Sequence, residues 1–353
     1  LAKHIKGLAN SLPEISMNFV STKQTYIMKF ILTGSLGHIS KPLAELLIDA
    51  GHSVTVISSN PAKQGDIEKS GANAAIGSVD DEPFLVRVFT GADAVYTMLP
   101  PFPFEKNPYL DARAEAVRLT TVYANAIKAS GVKMVVHLSS IGAHTDRGNG
   151  LLAFHYMAEQ TLNRLPGDVS ITFMRPVGFY YNLFQFMDIV KGQGFLKGFV
   201  GLIMTLKYYG IMGLLQDRKG LIISNYGGDD TMPWVSPLDI AAATAEELQT
   251  ANGRKFRYVA SDVLSCNQIA ATLGAAVRKP WLKWGAITDK QMKDALLKFK
   301  IPESLADDIV QMNAGMRKGG GLYDDYYKHE PRLGKVKMTD FAKEFASVYY
   351  SKS

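Results

Sequence analysis

Cysteine is almost missing: the 353-residue chain holds one, Cys266. A single thiol excludes an internal disulfide and any zinc site built on cysteines. It fits a reducing, cytoplasmic setting. The apolar, helix-like surroundings of Cys266 predict a buried, inert thiol. Long apolar runs are also lacking. None reaches the ~18 to 20 residues that cross a bilayer, so stable membrane insertion is not expected. The closest stretch, Gly198 to Leu215, is interrupted by Lys207. Its glycines and aromatics predict a mobile cover over a site, with a membrane-touching surface as the second reading. Charge of one sign does not dominate either. Lys and Arg number 39 against 33 Asp and Glu, a net of +6. That balance favours phosphate-bearing ligands without demanding nucleic acid. With no basic stripe and no helix-turn-helix pattern, nucleic acid is not an expected partner. No internal repeat or low-complexity tract is visible.

What is present is a globular composition, 47% hydrophobic and 20% charged. The length suits a nucleotide-binding core with a smaller substrate-covering region. Residues 1–27 read differently. Lys3, His4, Lys6 and Lys23 stand against a single acid, Glu14, and no apolar signal region occurs. They are read as an N-terminal extension.

From Met28 the pattern becomes regular. Met28 to Thr33 is a short apolar strand ending at a glycine turn. Leu43, Leu46, Leu47 and Ala50 share a helix face, and Gly51 ends that helix. Ser53 to Ile57 is the next strand, so strand, loop, helix and strand fit one βαβ unit. Further strands are predicted at 74–77, 93–98, 133–138 and 170–174, with helical stripes between them. This alternation predicts an α/β fold with a doubly wound parallel sheet. After Pro176 the rhythm breaks. Helical patterns return at 238–248, 267–277, 289–298 and 339–349. The expected division is a core at 28–176 and a mostly helical covering region at 177–353, with elements returning to the core sheet.

The glycine loop reads Thr33-Gly34-Ser35-Leu36-Gly37-His38-Ile39-Ser40. Gly34 suits the tight turn, and Gly37 lets backbone approach a pyrophosphate. The following helix offers its N-terminal amides and positive dipole end to that anion. Ser40 replaces the third glycine of the usual dinucleotide fingerprint, which loosens the match. In the ordered strand–loop–helix context the loop still predicts a Rossmann dinucleotide site over Gly34, Ser35, Leu36, Gly37, His38 and Ile39. The end of the second strand selects the cofactor. Ser58, Ser59, Asn60 and Lys63 stand there, with no carboxylate to repel a phosphate. NADP(H) is therefore preferred and NAD(H) possible; the alternative is that these residues only cap a turn. Asp80 is placed to accept from the adenine amino group, or else is a solvated cap. Met98, Leu99 and Pro100 border the nicotinamide ribose.

The loop, the Leu138-Ser139-Ser140 strand end, the stretch Phe173 to Asn182 (FMRPVGFYYN) and Met232 to Ala241 (MPWVSPLDIA) together carry a resemblance. The chain resembles the NmrA-like branch of the atypical short-chain dehydrogenases/reductases, from Met28 to about Trp284. That resemblance implies NAD(P)H-dependent reduction of a quinone or azo acceptor. Alternatively it implies a redox sensor that binds NADP(H) without turnover and acts through a protein partner. A nucleotide-sugar epimerase ranks third. By the spacing of typical short-chain dehydrogenases, Tyr156 and Ser140 take the catalytic positions, with Ser139 beside the cofactor. Gln160 stands where a lysine would be. A neutral amide can bond the ribose but cannot lower the tyrosine pKa by charge, so alcohol–ketone chemistry is not expected. His155 is a candidate proton donor. Arg175 is expected to anchor a strand end through a carboxylate such as Asp239. Phe179, Tyr180 and Asn182 are the expected substrate mouth, where aromatics stack on a flat acceptor or serve as core.

Overall fold

A computed structural model of the chain describes residues 26–193, 198–250 and 252–351. Most of the expected N-terminal extension, residues 1–25, lies outside them. The strands are β1 Lys29–Leu32, β2 Ser53–Ser58, β3 Asn73–Ile76, β4 Ala94–Met98, β5 Met134–Leu138, β6 Ser170–Pro176, β7 Gly178–Phe179, β8 Ile222–Ser224, β9 Thr231–Val235, β10 Arg254–Val259, β11 Asp262–Ser265 and β12 Trp284–Ala286. The helices that bear on the site are α1 Ser40–Asp49, α2 Gln64–Lys69, α3 Glu82–Phe89, α4 Ala112–Ser130 and α5 Ala153–Leu162. After them come the short α6 Met187–Val190, α7 Gly198–Leu215 and α8 Pro237–Thr250.

Seven strands form one sheet in the order β10-β6-β5-β4-β1-β2-β3, and every pairing in it is parallel. Such strands are buried on both faces. Phe30 and Leu32 of β1 join one buried cluster and Ile31 joins another, as the two-residue period requires. The direction of winding reverses between β1 and β4. In open α/β sheets, ligands bind beyond the carboxyl ends of the strands at such a switch point.

The second half does more than cover. β10 extends the sheet beside β6, and α8 packs on α1. The other strands make two small sheets, β11-β9-β7 and β12-β8. Cys266 is fully buried, and burial pushes its thiol up to about 12. No described helix is long and apolar enough to cross a membrane.

Candidate dinucleotide and substrate cleft

The loop after β1 is tied down from both sides. The Thr33 amide donates to the Tyr96 carbonyl, and the Met98 amide donates back to Thr33 Oγ1, each at 3.0 Å. Gly34 has φ +92°, and a Cβ there would stand 2.5 Å from both Met98 Sδ and Ser40 Oγ. Only glycine fits that turn. Ser35 follows with φ 53°; its hydroxyl donates to Ser58 Oγ at 3.0 Å, joining the loop to the end of β2. At Gly37 an added Cβ would press on the Gly34 carbonyl at 3.1 Å. Ser40, which loosened the motif, has its own use. Its buried hydroxyl donates to the Thr33 carbonyl at 2.9 Å and pins the start of α1 to the end of β1. The first turn of α1 carries no acid and no side-chain cap. The Lys41 amide donates to the Gly37 carbonyl at 3.0 Å and Pro42 has no N–H, so the dipole and the Ser40 amide are what this end offers an anion.

This loop forms one wall of a cleft of about 750 Å³, a size suited to a cofactor-scale ligand. Of the loop residues, Gly34, Ser35, Gly37, His38, Ile39 and Ser40 line it. Leu36 does not; it packs against the core. At the far end stand Ser58, Ser59, Asn60, Lys63 and Asp80. Their roles divide. Asn60 Oδ1 accepts the Ala62 amide and caps a short turn, and the Asn60 amide donates to Ser58 Oγ. Ser59 and Lys63 are exposed; Lys63 lies 3.7 Å from Asp66 in a loose surface pair. Asp80 is held by Arg118 at 2.7 Å. Met98 and Pro100 line the cleft wall. Leu99 points the other way, into a cluster with Ala116, Leu119 and Ala158, because side chains alternate along an extended backbone.

Residues 34–181 match the family model described as NAD(P)H-binding. They form an NAD(P)H-binding domain. The NmrA-like resemblance read from the motifs is borne out at this level. Over 323 residues the chain is 24% identical to an NAD(P)H azoreductase of Xenophilus azovorans, covering 90% of this chain and 98% of that protein. Two solved structures share the fold. One is an NADPH-dependent quinone oxidoreductase from Escherichia coli complexed with NADPH, at 20% identity and TM-score 0.65, covering 91% of this chain and 100% of that one. The other is the triphenylmethane reductase of a Citrobacter species complexed with NADP(H), at 16% identity and TM-score 0.64, covering 90% and 99%.

At the other end of the NAD(P)H-binding domain's cleft, the mouth differs from expectation by one residue. Phe179, Tyr181 and Asn182 line it, with Pro237 from α8. Tyr180 does not: it is fully buried, donates to Asp262 Oδ2 at 2.7 Å and stacks on Phe341. Tyr181 takes the open side, its ring centroid 3.9 Å from that of His38. Two adjacent tyrosines at the start of a tight helical turn must face apart, and the sequence alone does not say which faces the cleft.

The expected catalytic set does not reach this cleft. Helix α5 turns Ala153, Ala158, Glu159 and Leu162 inward. Tyr156 and Gln160, one turn apart, share a different face. Gln160 is exposed, and neither lines the cleft. Ser140 and Ser139 are also absent from its lining. Ser139 Oγ donates to Glu159 Oε1 at 2.6 Å inside the protein. His155 stacks on Phe154 with its Nδ1 sealed and without a partner. Burial lowers its pKa to about 3, so at neutral pH it is the neutral imidazole and not an imidazolium acid. Arg175 is corrected too. It grips Glu159 through two bonds of 2.9 and 2.6 Å, lies 3.6 Å from Asp325, and covers the Phe256 ring. Asp239 instead accepts from Ser261 Oγ and from the amides of Lys335 and Val336. Inward rotation of Glu159, one position before Gln160, supplies the carboxylate. Of the segment 198–215, expected as a cover, none of the described side chains, 202–215, lines the cleft.

Proposed function

We propose that the chain catalyses NAD(P)H-dependent reduction of a flat quinone- or azo-type acceptor in the cytoplasm, with NADPH as the preferred donor. One observation carries this reading. A single cleft runs from a glycine cradle and a cationic end at Lys63 to an aromatic mouth at Phe179 and Tyr181. The residues fit a dinucleotide. Gly34 permits the tight turn and Gly37 keeps the backbone open, a Cβ there meeting only the Gly34 carbonyl, and the uncapped start of α1 faces the same cleft. The azoreductase similarity over nearly the whole length supports the acceptor class. In this assignment the diphosphate lies against the Gly37 backbone and the dipole end of α1, within reach of the Ser40 amide. Ser59 and Lys63 hold a ribose phosphate. Asp80 retains a second oxygen for the adenine amino group.

When bound, the reduced nicotinamide supplies the hydride. The chain's part is placement: Met98 and Pro100 form the wall beneath it, and the Tyr181 and His38 rings offer flat faces to the acceptor. Because the mouth is open, water can supply the proton that a quinone also takes up. Among the described residues no tyrosine with a lysine one helical turn after it borders the cleft, which disfavours epimerase or alcohol dehydrogenase chemistry. Stopped-flow oxidation of NADPH against a panel of quinones and azo dyes tests the proposal. Turnover of roughly 1 per second or faster is expected for at least one acceptor. Tight NADPH binding without oxidation by any acceptor would instead favour a sensor that signals through a protein partner.

A further inference from the structure

Helix α7 carries one charged residue, Lys207, in an otherwise apolar run, GFVGLIMTLKYYGIMGLL. Sequestration of such a helix inside the protein would be usual. Here Leu202, Ile203, Leu206, Ile211, Met212 and Leu215 are between 47% and 74% exposed. The helix is nevertheless held in place. Tyr208 OH donates to the Ala286 carbonyl at 3.3 Å and Tyr209 OH to the Gly220 carbonyl at 2.7 Å. A break at Gly210, φ 67° and ψ −172°, divides the helix just before Ile211 and Met212. No described residue covers these side chains.

The flank of this exposed apolar segment is cationic. Lys283 Nζ donates to the Tyr208 carbonyl at 3.1 Å, and Lys279 Nζ donates to the Lys219 carbonyl at 3.1 Å. Residues 207–219 and 279–283 bring Lys207, Arg218, Lys219, Lys279 and Lys283 against one carboxylate, Asp217. Trp281 lies in the same cluster, its indole N–H directed at the Lys219 carbonyl at 3.4 Å. Exposed aliphatic side chains with lysines and amphipathic aromatics beside them are the residue types that meet a lipid surface and its headgroups. We propose that α7 is a docking helix for an anionic lipid surface: its exposed aliphatic side chains enter the acyl boundary, and the lysine cluster meets the headgroups. Charge complementarity selects this occupant over a second copy. A two-fold contact through α7 would set the same cationic cluster against itself.

The test is co-sedimentation of the full chain with vesicles of phosphatidylcholine alone, or with roughly a third phosphatidylserine. The expected result is binding at least ~10-fold tighter to the anionic vesicles and weaker in high salt, with Lys207→Ala losing about fivefold. The pair Ile211→Ser and Met212→Ser should lose ~10-fold or more. Both residues are exposed, so this variant folds, and unchanged NADPH affinity verifies it. Equal binding to both vesicle types would overturn the proposal, as would no binding to either. So would a concentration-dependent dimer that the serine pair dissociates.

Discussion

Gly34 and Gly37 belong to one loop, yet substitution at each should fail differently. At Gly37 the backbone lies outside the left-handed region, and an alanine methyl would meet only the Gly34 carbonyl at 3.1 Å. A few tenths of an ångström of give relieves that, so Gly37→Ala should cost about 1 kcal/mol of stability or less. The methyl would stand where the diphosphate approaches the backbone. Losing one hydrogen bond to a charged group costs ~1.5–3 kcal/mol, so NADPH should bind about tenfold to a hundredfold more weakly. At Gly34 the cost falls on folding. A left-handed conformation costs a non-glycine residue ~1–2 kcal/mol. Contacts of 2.5 Å to Met98 Sδ and Ser40 Oγ then force Ser40 away from the Thr33 carbonyl, removing a hydrogen bond of ~1 kcal/mol. Gly34→Ala should therefore lose about 2–3 kcal/mol. Calorimetry with NADPH and urea denaturation read the two effects separately. A folded Gly37→Ala variant with the parent's affinity would refute the placement of the diphosphate. A Gly34→Ala variant as stable as the parent would refute the loop geometry.

Four further outcomes follow from the structure. NADPH should bind more tightly than NADH by about 1 kcal/mol, and Lys63→Ala should narrow the gap; equal affinities in the parent protein would count against the phosphate end of the cleft. Tyr156→Phe should change turnover far less than the ~100-fold typical of a lost acid–base group, whereas Tyr181→Ala should lower kcat/KM about tenfold through lost stacking; steady-state kinetics with one quinone distinguishes them. Glu159→Gln leaves buried Arg175 with only the looser Asp325, 3.6 Å away, as a charge partner and should destabilise by ~3 kcal/mol, read from the urea midpoint. Burial lowers both His137 and His155 to about 3. The unfolded chain therefore binds more protons between pH 6.5 and 3, and their contribution, full above pH 6.5, is lost as pH falls through that window. The slope should reach ~2.7 kcal/mol per pH unit for two protons; a flat stability profile from pH 7 to 4 would contradict it.

Local pattern was enough for the sheet and the loop. Each βαβ step lies within a short stretch of chain, and its apolar runs, glycine stops and helix faces are set by near neighbours. So β1 through β6 and the Gly34–Ser40 loop could be read from residues alone. The return of β10 to the sheet could not be located in the same way, because pairing between Arg254–Val259 and Ser170–Pro176 depends on contacts far apart in sequence. Rotation of elements was equally hidden. Whether Tyr180 or Tyr181 faces the cleft, and whether Glu159 or Gln160 faces inward, depends on how a helical turn packs against the rest of the protein. A rotation of one residue on a helix, about 100°, exchanges buried for exposed. The partner of Arg175 was decided by the same packing, since a charge buried beside the sheet requires whichever carboxylate the neighbouring helix turns toward it.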